Sequence, residues 1–272
     1  MSDFLLLMWK PLVACLILTG IHAYLGIHVI ERKIIFVDLA LAQIAALGTT
    51  VAFLFGFPLH GTVTYWFSLS ATFLGALVFS MTRTRKEKVP QEAIIGIVYA
   101  VSAAAAVLIL SRAAEGDEHI RHMLVGNILL VNVHEMIRMA VLYAAIGLLH
   151  WRFQKRFVLI STNPKQAFDQ GISVKGWDLL FYLTFGVVVT SSVEIAGVLL
   201  VFSFLIVPAV AAVLFFKDLS HRLVFGWGVG AVASFLGIVL SYYLDFPTGA
   251  TLVCTFGGIL LLLSAMAGKI KR

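Results

Sequence analysis

Eight apolar runs, each long enough to cross a lipid bilayer as a helix, decide what this chain can fold into. A hydrocarbon core of roughly 30 Å needs about 17–25 helical residues to span it. Runs of that kind recur at residues 11–30, 37–56, 62–82, 92–111, 134–150, 177–193, 222–243 and 249–267. A ninth, 195–215, contains Gly197 and Pro208 and reads either as a full span or as a short broken one. Lipid offers no hydrogen bonds to an exposed backbone, so the pattern predicts an all-α polytopic membrane protein of about 8–9 transmembrane helices.

Composition agrees, since 61% of the residues are hydrophobic and 12% charged, where a soluble domain carries roughly a quarter charged. The longest polar connections, 112–122 and 154–176, are too short for a soluble domain, so residues 1–272 are expected to form one transmembrane domain. The twenty Lys and Arg residues fall unevenly between alternate loops. One set holds Arg32, Lys33, Arg83, Arg85, Lys86, Lys88, Arg152, Lys155, Arg156, Lys165, Lys175, Lys217, Arg222, Lys269, Lys271 and Arg272; the other holds Lys10, Arg112, Arg121 and Arg138. Basic residues in short loops stay cytoplasmic, which puts the C-terminus inside and, with nine crossings, the N-terminus outside.

Orientation accounts for the net charge of +6, so nucleic acid is not an expected partner. Cys15 and Cys254 lie inside apolar spans and indicate neither disulfides nor a thiolate metal site; both read as small core residues. Met1 to Thr19 lacks a basic n-region and a small-residue cleavage motif, so the first span is expected to stay in the mature protein. No Gly-x4-Gly-Lys-Ser/Thr phosphate loop occurs, so active transport would draw its energy from another chain or from an ion gradient.

The connection from Gln154 to Gly176 is the one long, charged, turn-rich segment on the cytoplasmic side. Asn163 followed by Pro164 has the form of a helix cap and first helical residue, and Gly171 the form of its end. A short helix presented there suggests a handle that another protein grips.

Acidic residues within spans are costly and usually functional, which singles out Asp38, Glu194 and Asp245. Asp38 opens the second span, where the helix dipole also favours an acid, and Gln43 follows further into the same span. Glu194 sits at the rim of a span, as a solvated turn acid or a ligand. Asp245 lies in a turn supported by Pro247 and Gly249, which favours a structural role. The loop from Glu115 to His122 combines three acids with His119 and His122 and could receive a divalent cation, although a solvated acidic loop is the plainer reading. His22 reads as a hydrogen-bonded core histidine, and His60 and His150 as interfacial ones. The string from His134 to Arg138 is a near miss for His-Glu-x-x-His, with Arg138 where the second ligand would stand. Gly226, Gly228, Gly230, Gly257 and Gly258 stand at helix-packing intervals, for contacts within the chain or for a homodimer seam.

Five segments, in order, resemble the ABC-3 family of bacterial metal-ion permeases: Glu31 to Gly48, Leu124 to Leu130, Asn163 to Gly171, Gly197 to Ala209 and Ser241 to Ala250. The resemblance implies a permease fold like that of vitamin-B12 importers, forming the membrane subunit of an importer for Zn, Mn or Fe in the bacterial inner membrane. It implies a homodimer with the ion passing near its axis, two copies of a separate ATPase subunit that bind the ATP, and an extracytoplasmic metal-binding protein. No cofactor of its own is expected. Asn163, Pro164, Lys165, Ala167 and Gly171 would form the region that docks the ATPase, and Asp38 would line the ion pathway. One departure concerns Gln43, which stands where the family's second span commonly has His in Asp-x-x-x-x-His. An amide oxygen suits harder cations better than Zn²⁺. A membrane-embedded metalloenzyme and a gradient-driven carrier are the alternatives.

Overall fold

The computed structural model describes residues 2–58, 61–83, 89–111 and 126–270. Among these, regular structure is helical throughout. The helices are α1 (Ser2–Arg32), α2 (Val37–Leu54), α3 (Thr62–Thr82), α4 (Gln91–Leu110), α5 (Val133–Arg152), α6 (Gln154–Thr162), α7 (Pro164–Asp169), α8 (Val174–Ala196), α9 (Val198–Phe215), α10 (Leu219–Leu244) and α11 (Thr248–Ile270), with a single 3-10 turn at Ile128–Leu130. Nine of the described helices are long and apolar enough to cross a membrane, which bears out the expected architecture. The ambiguous run at 195–215 forms one unbroken helix, α9, long and apolar enough to span, with Pro208 inside it. It is set off from α8 by Gly197, whose φ of +75° is a conformation that residues with a Cβ rarely adopt.

The chain forms two compact units. One is built from Met1–Ile30, Leu124–Gly147 and Glu194–Arg272, the other from Glu31–Met123 and Leu148–Val193. In the first, α9, α10 and α11 pack on one another, and Phe204 meets Phe256 edge to face at 4.9 Å. In the second, α2 packs on α3 and α4, and Phe79, Phe157, Phe181, Tyr182 and Phe185 are fully buried.

Hydroxyls within the spans bond back to carbonyls of their own helices, as Thr19 does to Cys15, Thr50 to Ala46 and Ser234 to Gly230. This satisfies a polar group where no water is available. Large apolar side chains such as Trp66, Leu74, Leu108 and Leu261 point outward from the spans, as lipid contact requires. Cys254 is exposed among them and only Cys15 is a core residue, which corrects the reading of both as core. Of the spaced glycines, Gly226 and Gly230 pack against Pro208 and Thr19, while a Cβ added at Gly228, Gly257 or Gly258 would meet no other part of the described chain within 4 Å.

Candidate functional site

Asp38 is the second residue of α2, where the helix dipole favours a carboxylate. It is only 2% exposed, and its Oδ1 has no hydrogen-bond partner among the described residues. Glu92, from the first turn of α4, accepts the backbone N–H of Phe36 through Oε1 at 3.0 Å. Its Oε2 is buried without a described partner. Two carboxylates are therefore assembled at the start of α2, each with an oxygen left over. An unpaired buried polar atom costs about 1–3 kcal/mol, more for a charge, a cost that fold stability alone does not explain. Gln43 lies further along α2 and is likewise buried.

Glu194 lies in the last turn of α8, not in a turn, and pairs with Arg138 of α5 at 3.3 Å with both side chains about half exposed. A pair this exposed is worth at most about 1 kcal/mol. Two segments that are distant in sequence meet beside it. Asn127 donates its N–H to Ile195 O at 3.1 Å, and Gly126, at φ +63°, lies so close to Ala196 and Gly197 that a Cβ would run into their backbone. Asp245 closes α10 in the left-handed region at φ 53°, a structural position. His119 and His122 lie outside the described residues. Among the described residues no group of three or more His, Cys, Asp or Glu side chains could hold a metal ion.

The string that begins at His134 has a capping role. Asn132 Oδ1 accepts the Glu135 N–H at 2.9 Å, and Glu135 accepts the Asn132 N–H at 3.0 Å. This reciprocal pair opens α5 and occupies the Glu135 carboxylate.

At the predicted handle, Asn163 accepts the Gln166 N–H at 3.2 Å, Pro164 is the first residue of α7, and Gly171 follows its end at φ +71°. Lys165 and Gln166 are exposed. Ala167 is fully buried in an apolar cluster with Ile160 and Val174, against which Leu159, Phe168, Ile172 and Trp177 pack. Ala167 therefore seats the helix, and its exposed neighbours are what it presents.

Behind α7 lies a cluster that the sequence does not announce. Asp178, in α8, is completely buried and accepts hydrogen bonds from Arg32 Nη1 at 2.5 Å and from Arg83 Nη1 at 3.0 Å to each of its oxygens. Arg32 Nε donates to Ser161 Oγ at 2.8 Å, and Arg83 Nη2 donates to Ile160 O at 3.2 Å. The Arg32 guanidinium stacks over Phe181 at 3.9 Å. Removing one partner from such a buried ion cluster costs about 3–5 kcal/mol. Arg32 and Arg83, counted above as orientation charges at loop ends, thus have a structural task as well. His150, read as interfacial, is also buried; its Nε2 meets Thr184 Oγ1 at 2.8 Å and its ring stacks on Phe157 at 4.1 Å.

A model of the family described as the ABC 3 transport family matches residues 5–267. A Haemophilus influenzae protein named "Probable iron transport system membrane protein" is 27% identical over 248 residues, covering 90% of this chain and 88% of that one. The manganese transport system membrane protein MntC of Listeria monocytogenes is 28% identical over 188 residues, covering 66% of this chain and 67% of its own. Among solved structures, PsaBC from Streptococcus pneumoniae in complex with Fab aligns with a TM-score of 0.77 at 22% identity, covering 96% of this chain and 94% of that chain.

Proposed function

This chain belongs to the ABC 3 transport family, and from that premise we propose that it is the permease subunit of an ATP-driven importer of a divalent transition metal ion. The observation that carries the proposal is α7, a capped helix that seats Ala167 inward and leaves Lys165 and Gln166 exposed. It lies in the connection whose basic residues assign it to the cytoplasm. Two copies of a separate ATPase grip this helix on two copies of the permease, and an extracytoplasmic protein delivers the ion. The membrane is the bacterial inner membrane, with the C-terminus of the chain in the cytoplasm.

Nucleotide-driven closure of the ATPases pushes α7 and rocks the spans between two packed arrangements, opening the path to one side at a time. Asp38 lines that path, and its leftover carboxylate oxygen is available to a passing cation. Gln43 supplies an amide oxygen, a donor that suits Mn²⁺ and Fe²⁺ better than Zn²⁺. The names of the iron and manganese relatives support the same choice. His119 and His122, in the loop expected outside, and Glu194 belong to the entry side of the path.

The test is co-purification with the cognate ATPase. Lys165→Glu, on the exposed side of α7, is expected to weaken ATPase binding and to abolish the stimulation of ATP hydrolysis while the permease stays folded. Asp38→Ala is expected to retain the complex and lose uptake. Undiminished ATPase binding and stimulation by Lys165→Glu would count against the docking assignment, and normal uptake by Asp38→Ala against the pathway one.

A further inference from the structure

We infer that Asp178, held between Arg32 and Arg83, is a positioning residue that ties the seat of α7 to the ends of α1 and α3, so that a push on α7 moves those spans. The inference rests on the proposed docking of an ATPase at α7 and adds the link by which docking would act on the membrane helices.

The chain of contacts is continuous. Ala167 of α7 packs on Ile160 of α6 and Val174 of α8. Ile160 and the next residue, Ser161, are the two points where the arginines reach α6: Arg83 Nη2 holds the Ile160 carbonyl and Arg32 Nε the Ser161 hydroxyl. Both guanidinium groups then converge on the single carboxylate of Asp178, four residues beyond Val174 on α8. Arg32 is the last residue of α1, and Arg83 immediately follows α3. One turn on from Asp178, Tyr182 accepts from Gln91 Nε2 at 3.0 Å, and the same amide donates to Phe79 O at 2.8 Å, which brings in the first residue of α4 and the body of α3.

Apolar contacts resist separation but let helices slide. A planar guanidinium that bonds two acceptors at once fixes direction as well as distance, and it does so more firmly where water is excluded. A buried ion cluster is also a poor way to gain stability, since well-packed apolar residues of similar volume often do as well. Its distinguishing property is a defined geometry among four elements: α1, α3, α6 and α8. Two cations against one anion leave Arg32 Nη2 without a described partner, a cost that packing for stability alone would have removed.

The experiment compares metal moved per ATP hydrolysed, with Mn²⁺ and Fe²⁺ as probes, in proteoliposomes holding the permease and its cognate ATPase. Arg83→Lys keeps a cation beside Asp178 but cannot also reach the Ile160 carbonyl, and Ser161→Ala removes the other tie without touching a charge. The double variant therefore loosens α6 while leaving Asp178 compensated. It is expected to bind the ATPase and hydrolyse ATP, while metal moved per ATP falls about tenfold, the scale of an ordinary coupling between sites. Ser161→Ala alone, a change too small to prevent folding, is expected to lower the ratio by a lesser factor. An unchanged ratio in both variants overturns the inference. Lys165→Glu, run alongside, separates the two ideas: if it still binds and stimulates the ATPase, the docking reading fails, whereas if it loses the ATPase and the loosened variants transport at the full ratio, only the link fails.

Discussion

Asn163 and Gln166 bond to each other twice: the Asn163 side-chain oxygen accepts the Gln166 N–H at 3.2 Å, and its amide donates to Gln166 Oε1 at 3.1 Å. A helix of six residues has little cooperativity of its own, so its existence depends on this cap and on the burial of Ala167. Asn163→Ala is expected to cost about 1 kcal/mol locally. Amide hydrogen exchange of residues 165–170 would accelerate while that of α8 stays as it was, and unchanged exchange in α7 would show that the cap is dispensable.

Glycines pressed against a neighbour differ measurably from those that face open space. A Cβ on Gly26 would collide with the carbonyl of Leu205, so Gly26→Ala forces α1 away from α9. An overpacking cost of about 1–3 kcal/mol is expected. A Cβ on Gly228 would meet nothing within 4 Å, and Gly228→Ala is expected to gain roughly 0.5–1 kcal/mol from helix propensity. Thermal unfolding in detergent should lower the midpoint of the first variant and leave the second equal or higher.

Glu135 offers a test of the enzyme alternative. A capping box accepts Gln in place of Glu, so Glu135→Gln should keep both the fold and metal uptake. Loss of activity in a well-folded Glu135→Gln protein would point to a carboxylate acting as a base.

Asp218 caps α10 by accepting the backbone N–H groups of Ser220 and His221, and it also meets the His221 ring at 3.0 Å. The His221 side chain, and then its backbone N–H, hold this carboxyl below the usual carboxylate range. A depressed value in the folded state means stability that is present above the unfolded value of about 3.9 and lost as the pH falls through the lower, folded one. The difference in unfolding midpoint between the protein and Asp218→Ala should be full near neutrality and shrink in acid below about pH 4. The effect is small because the group is exposed, and a gap that widens in acid would contradict the assignment.

What the sequence shows and hides follows from the range of each interaction. The spans are legible because each apolar run satisfies its backbone within itself, and α7 is legible because Asn163, Pro164 and Gly171 are local signals. Asn132-x-x-Glu135 was equally local, a capping box masked by its likeness to a metalloprotease string. Asp178 was not legible: its partners stand 146 and 95 residues away, and at the start of an apolar run it looks like a boundary acid. Glu92 was hidden in the same way, since only the fold brings it to the start of α2, 56 residues earlier in the chain. A signal did exist for Asp178, because an acid just inside a span needs a partner and basic residues close two earlier spans.

An importer permease accumulates metal only when its ATPase hydrolyses ATP. The permease and its cognate ATPase would be reconstituted in proteoliposomes, supplied with the extracytoplasmic metal-binding protein, and offered Mn²⁺, Fe²⁺ and Zn²⁺ with and without ATP. ATP-dependent accumulation of Mn²⁺ or Fe²⁺ in preference to Zn²⁺, lost in Asp38→Ala, is expected. An assembled complex that hydrolyses ATP and moves none of the three would contradict it.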